Sequence, residues 1–151
     1  MTTDDKRRAP AESPFLIERL MRHALLEEEA VYGSEEEFRD AVTNRADDDI
    51  IERRRLALTR NPREAAQELA YQAYEAEDQD RALELANQAL ALDDHCVDAL
   101  CVKAFLTCED PGELIGELEL AATTGEKRLG DEFFAEHMGD FWPLVEARPY
   151  L

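Results

Sequence analysis

An all-α fold is predicted for this chain of 151 residues by three observations. Small and apolar side chains recur at 3.6-residue spacing over most of its length. Glycines number only six and β-branched residues are few, which speaks against a sheet. A helix-turn-helix pattern in the middle of the chain can be laid over the stretch that follows it at an offset of 34 residues. With 44% hydrophobic residues, this length supports one domain with a core of its own.

Taken in order, residues 1–13 form an arm that carries both charge signs and proline, and they are expected to be mobile. Ser13 caps and Pro14 opens a helix with Phe15, Ile17, Leu20, Met21, Ala24 and Leu25 on one side. Gly33 breaks it. Ser34 with Glu37 makes a capping box for the next helix, which turns Phe38, Ala41 and Val42 inward. Asn44 and the aspartates Asp47, Asp48 and Asp49 favour a break before a further helix over Ile50 to Leu58.

The organising pair runs from Asn61 to Asp94. Asn61 caps its first helix and Pro62 sits in the first turn, where a missing N–H costs nothing. Ala66, Leu69, Ala70 and Ala73 make one stripe. Polar residues at Glu75 and from Glu77 to Asp80 allow a turn, and Ala82, Leu85, Ala86, Ala89, Leu90 and Leu92 make the second stripe. Alanine at Ala70 and Ala82 lets the two backbones approach closely. The following unit has a helix from Val97 to about Cys108, a turn at Pro111 and Gly112, and a shorter helix with Leu114, Ile115, Leu118 and Ala121 or Ala122 inward. At the 34-residue offset Ala70 matches Ala104 and Tyr71 falls on Phe105, while Lys103 replaces an expected leucine and Gly116 falls where a small residue belongs. The domain is therefore expected to span 14–151, with repeat-like units at 63–96 and 97–130 and a C-terminal aromatic segment at 131–151.

This spacing resembles the tetratricopeptide (TPR) repeat, a helix-turn-helix unit of about 34 residues. The C-terminal segment strengthens the likeness. Phe133 and Phe134 lead through Gly139, Phe141 and Trp142 to a turn at Arg148, Pro149 and Tyr150, a connector similar to one in a group of bacterial and archaeal TPR proteins of uncertain function. The likeness covers roughly Asn61 to Leu151. Members of that group continue with further helices past this turn, so the chain resembles a short member. The resemblance implies a right-handed α-solenoid of antiparallel helix pairs, about six or seven helices in all. Two units are fewer than a solenoid usually needs, so flanking helices are expected to close the core.

Charge excludes some functions. The formal net charge is -19, from 36 acidic and 17 basic side chains. Direct nucleic-acid binding needs a basic face to displace counterions, and an anionic membrane is disfavoured for the same reason. The N-terminal stretch has no apolar core of a signal peptide, and no run reaches the roughly 18 apolar residues of a membrane helix. Three cysteines, an odd number, point to a reducing compartment, and a cytoplasmic location is expected. From Glu27 to Glu52 there are eleven acidic residues and two basic ones, Arg39 and Arg45. A solvated face is the ordinary account of such a run, and a docking face for a basic partner the sharper one.

Signals of chemistry are weak. Cys96, Cys101 and Cys108 lack the paired spacing of zinc sites, and buried or groove-lining thiols are their ordinary reading. His23, His95 and His137 fall in no metalloprotease or di-metal pattern, and there is no phosphate-binding loop and no nucleophile elbow. No enzyme, metal or cofactor is expected. What rises above background is one row on the first helix of each unit: Gln67, Tyr71 and Tyr74, matched by Cys101, Phe105 and Cys108. In TPR proteins these positions line the concave groove that takes a peptide or a partner helix, which would make the chain an adaptor or scaffold. The competing account of the row is core, covered by terminal helices. Five of the eleven aromatics lie in the last segment, and Phe141, Trp142 and Leu144 either fold back onto the second unit or form a homodimer or partner contact. The expected partner is another protein or peptide, basic if the acidity is functional. A different class is a small acidic inhibitor, such as an antitoxin or nucleic-acid mimic, acting through the Glu27 to Glu52 region.

Overall fold

A computed structural model describes residues 15, 17–19, 21–22, 60–141, 143–144 and 146–151. The arm at 1–13, the helices expected within 34–58, the acidic run from Glu27 to Glu52 and Trp142 lie outside the described residues. Those described are helical, with turns and short connections between: α1 (Pro62–Glu75), α2 (Gln79–Leu92), α3 (Val97–Thr107), α4 (Pro111–His137) and a terminal 3-10 turn, η1 (Arg148–Tyr150). Residues 17–19 and 21–22 are helical as well.

Local chemistry sets the boundaries. The Asn61 side chain accepts from the Glu64 backbone N–H, with Pro62 at the first position of α1. Asp78 caps α2 by accepting from the Arg81 N–H at 2.7 Å. Asp110 caps α4 by accepting from Gly112 and Glu113 at 2.8 and 3.2 Å. Pro111 and Gly112 are thus the first turn of α4, a correction to the turn expected there. Proline lacks the N–H that a first turn leaves unpaired, so it starts a helix as readily as it ends one.

The centre of the fold is built from alanine. Ala66, Ala70, Ala89, Cys96 and Ala99 form one buried cluster, and Ala73, Leu85, Ala86 and Val102 another, with Leu69 packed against both. Short side chains on facing stripes let helices pack at the close end of the usual interaxial range. α1 packs on α2 and on α3, α2 on α3, and α3 on α4. Helix on helix is the only layer arrangement among the described residues.

Two inward assignments are corrected. Leu92, the last residue of α2, is 49% exposed. Ile115 is 58% exposed. The inward stripe of α4 runs instead through the half-buried Leu114 and Leu118 to the buried Ala121 and Gly125, and Ile115 lies about 100° off it. The small-residue contact has moved with that stripe. A Cβ on Gly116 would meet nothing within 4 Å, whereas on Gly125 it would lie 3.1 Å from the Tyr150 ring and 3.3 Å from Val97. Gly130, at φ +80 and ψ 160, breaks the helical path inside α4. Such a backbone is essentially restricted to glycine. No helix among the described residues is long and apolar enough to cross a membrane.

Candidate functional site

Gln67, Tyr71 and Tyr74 lie at i, i+4 and i+7 along α1 and share one face. Cys101 and Phe105 repeat that spacing on α3, with Cys108 as its C-cap residue. The two rows separate into a covered part and an open part. Gln67 and Tyr71 are buried, at 6% and 1% exposure, whereas Tyr74 is 41% and Phe105 61% exposed. Cys101 and Cys108 are half-buried.

At the open end Tyr74 and Phe105 share a cavity of about 350 Å³ with Ala73, Ala76, Val102 and Leu106. Its lining residues include the acidic Glu77 and Asp78 and no lysine or arginine.

The covered end lies beneath Phe15, Glu18, Arg19 and Arg22. The Phe15 ring packs 5.3 Å from both Tyr71 and Tyr74, centroid to centroid. Arg19 pairs with Glu68 and, at 3.1 Å, with Glu75. Arg22 donates to the Tyr71 hydroxyl at 2.9 Å and to Glu64 at 3.2 Å. The Tyr71 hydroxyl in turn donates to Glu18, whose other oxygen lies 3.8 Å from the Arg148 guanidinium. Burial pushes the Tyr71 phenol far up, against the pull of Arg22, so it remains a donor throughout the physiological range.

A second polar cluster joins α1 to α3. Gln67 donates to the Asp98 carboxylate, and the Tyr74 hydroxyl reaches the same group at 3.4 Å. Burial raises the Asp98 carboxyl, partly offset by the hydrogen bond from Gln67. Cys96, beside Gln67, is buried and its thiol is pushed up to about 12 by that burial. Burial raises the Cys101 thiol too. Both are therefore thiols rather than thiolates at neutral pH, poorly suited to nucleophilic attack. Asp93, Asp94 and His95 cluster at the end of α2, but Asp93 is engaged by Arg128 through two hydrogen bonds of 2.6 Å.

At the C-terminal end Phe134 meets Phe141 and Tyr150 edge-on at 5.2 and 5.4 Å, and Phe133 stacks on Phe141 at 6.1 Å. Phe141 and Leu144 are half-buried, and Tyr150 also donates to Glu126 at 2.9 Å. Met138 and Leu151 remain 80% and 60% exposed.

Sequence reasoning missed the charged part of this face. A signal was present. Phe15, Arg19 and Arg22 are spaced i, i+4 and i+7, and Glu64, Glu68 and Glu75 are spaced i, i+4 and i+11, each set on one helical face. Comparison with protein-family models, with curated proteins and with solved structures yields no match to this chain.

Proposed function

We propose that this chain is a non-enzymatic binding module, a short TPR-like array that takes a peptide or partner helix along the row of α1 and α3. The observation that carries the reading is Phe105, 61% exposed beside the half-open Tyr74 at an apolar cavity. A phenylalanine left in water costs burial energy that a partner can recover, and tyrosine adds apolar area with a polar tip. The 34-residue register supports it, since Tyr71 is covered by Phe15 while its counterpart Phe105 stands open. Glu77 and Asp78 in the lining, on a chain of net charge -19, select a partner with basic residues next to an apolar side chain. A cytoplasmic adaptor or scaffold is the role that fits such a module.

The test is selection from a random displayed-peptide library on the immobilised chain, counter-selected on Phe105→Ala. Enrichment of aromatic or leucine residues flanked by lysine or arginine is expected, with the variant melting at the parent's temperature. Peptides that bind Phe105→Ala equally well, or no enrichment over the variant, would sink the reading.

A further inference from the structure

A cavity of about 190 Å³ lies where the first turn of α1, the middle of α4 and the turn before η1 come together. It shares no lining residue with the cavity at Phe105. On a chain with 36 acidic and 17 basic side chains, its lining runs against the average. Arg22, Arg63 and Arg128 face it, against the acidic Glu64 and Glu146.

Part of this charge is matched within the fold. Arg22 donates to Glu64 at 3.2 Å and to the Tyr71 hydroxyl, which fixes both residues as wall. Arg128 gives one N–H from each terminal nitrogen to Asp93, leaving its Nε–H and the second hydrogens of those nitrogens uncommitted among the described residues. Arg63 and Glu146 are exposed and make no hydrogen bond or ion pair among the described residues. The cavity therefore offers uncommitted charge of both signs.

The two signs come from different sides. Hydrogen bonding from Arg128 and, more weakly, the charge of Arg63 hold the Asp93 carboxyl below its ordinary value, so both guanidiniums stand near the end of α2. The dipole at the start of α1 adds to the preference for an anion there. Glu146 belongs instead to the turn leading into η1 and lines the cavity with Pro149 and Tyr150. Arg63 and Glu146 face one space without pairing across it. Val97, Leu129 and Tyr150 supply apolar wall. Pockets for drug-sized ligands run to roughly 300–1,000 Å³, so this one suits a smaller molecule and excludes a helix.

We propose that this cavity binds a free α-amino acid with an apolar side chain, its carboxylate on Arg63 and Arg128, its ammonium on Glu146 and its side chain against Val97, Leu129 and Tyr150. Guanidinium to carboxylate and ammonium to carboxylate are both charge-assisted hydrogen bonds, the strong kind. A dicarboxylate would bring a second anion toward Glu146, and a diamine would set a cation against Arg63 and Arg128. A neutral ligand leaves both signs unmatched.

Isothermal titration calorimetry of the full chain with L-leucine, L-isoleucine and L-valine tests this. At least one is expected to bind, with its N-acetyl form (no ammonium) and its amide (no carboxylate) each at least tenfold weaker. Arg63→Ala and Glu146→Ala remove side chains that hold no other element, so both should melt with the parent and bind at least tenfold more weakly. Glu146→Ala should also lose the discrimination against the N-acetyl form, which a merely structural role would not change. Where an alanine variant melts below the parent, Arg63→Gln and Glu146→Gln carry the same comparison. No binding of the three by the parent, equal binding of the blocked forms, or unchanged affinity in a variant at either position overturns the proposal.

Discussion

Replacing Arg128 with alanine is expected to cost about 2 kcal/mol of stability. Asp93 stands at the C-cap of α2, and its carboxylate accepts two hydrogen bonds from Arg128 in the middle of α4, both 2.6 Å long. Its side chain is 8% exposed and that of Arg128 24%. Arg128→Ala leaves this nearly buried carboxylate with the His95 backbone N–H at 3.2 Å. Breaking a fully buried pair costs roughly 3–5 kcal/mol and an exposed one roughly 0–1, and a pair open to water on one side falls between. For a domain of this size each kcal/mol moves the melting temperature by roughly 2–4 °C, so thermal unfolding followed by circular dichroism should fall by about 6 °C at pH 7. The pH dependence has a definite sign. Hydrogen bonding from Arg128 holds the Asp93 carboxyl below its ordinary value. The pair's contribution is therefore complete above the unfolded carboxylate's pKa of about 3.9 and is lost as the pH falls through the lower folded value. The gap between parent and variant should close in strong acid. A loss below about 0.5 kcal/mol at pH 7, or a gap that persists unchanged at acidic pH, refutes the reasoning.

Further expectations follow from the same geometry. Gly125→Ala should cost about 1 kcal/mol in chemical denaturation: the new methyl gains helix propensity but must displace the Tyr150 ring 3.1 Å away and Val97 at 3.3 Å. Asp98→Asn should raise the melting temperature at neutral pH, because burial pushes the Asp98 carboxyl up and its ionised form costs the folded state, while asparagine keeps an acceptor for Gln67 and Tyr74. That cost sets in as the pH rises through the carboxylate range, so the gain should vanish in acid, and a lower melting temperature at pH 7 would contradict it. Alkylation with iodoacetamide at pH 8, mapped by mass spectrometry, should modify the half-buried Cys101 and Cys108 well before Cys96, which is 2% exposed with a thiol pushed up to about 12. Early labelling of Cys96 would mean that the α1–α3 contact opens.

What the sequence reveals of this molecule is what depends on near neighbours. The Asn61–Pro62 start of α1 and its stripe of Ala66, Ala70 and Ala73 are local patterns and appear where they are expected. The inward face of α4 was less legible. Nothing between Leu114 and Gly125 says whether Gly116 or Gly125 meets another element, since that is decided by where Tyr150 and Val97 arrive from distant parts of the chain. The row on α1 was readable as a set of positions, but not its division into a covered and an open end. That division comes from Phe15, Arg19 and Arg22, more than 40 residues away in sequence. Charged residues on helix faces are ordinarily solvated, so the one-face spacing of Arg19 and Arg22 and of Glu64, Glu68 and Glu75 does not by itself say that the two sets pair over such a span.

Glu18 has a consequence for the order in which the chain assembles. It accepts from Tyr71 and faces Arg148, so it is linked at once to the middle and to the far end of the sequence. Contacts within and between α1, α2 and α3 are short in sequence and can form while synthesis is still under way. Arg148 is synthesised only after all four of the helices α1 to α4. A nascent chain can thus seat Phe15 and Arg22 on α1 well before the guanidinium from η1 arrives beside Glu18. The N-terminal segment settles in two stages, docking first and fastened later, and for the interval between them its carboxylate has Arg22 as partner but not yet Arg148.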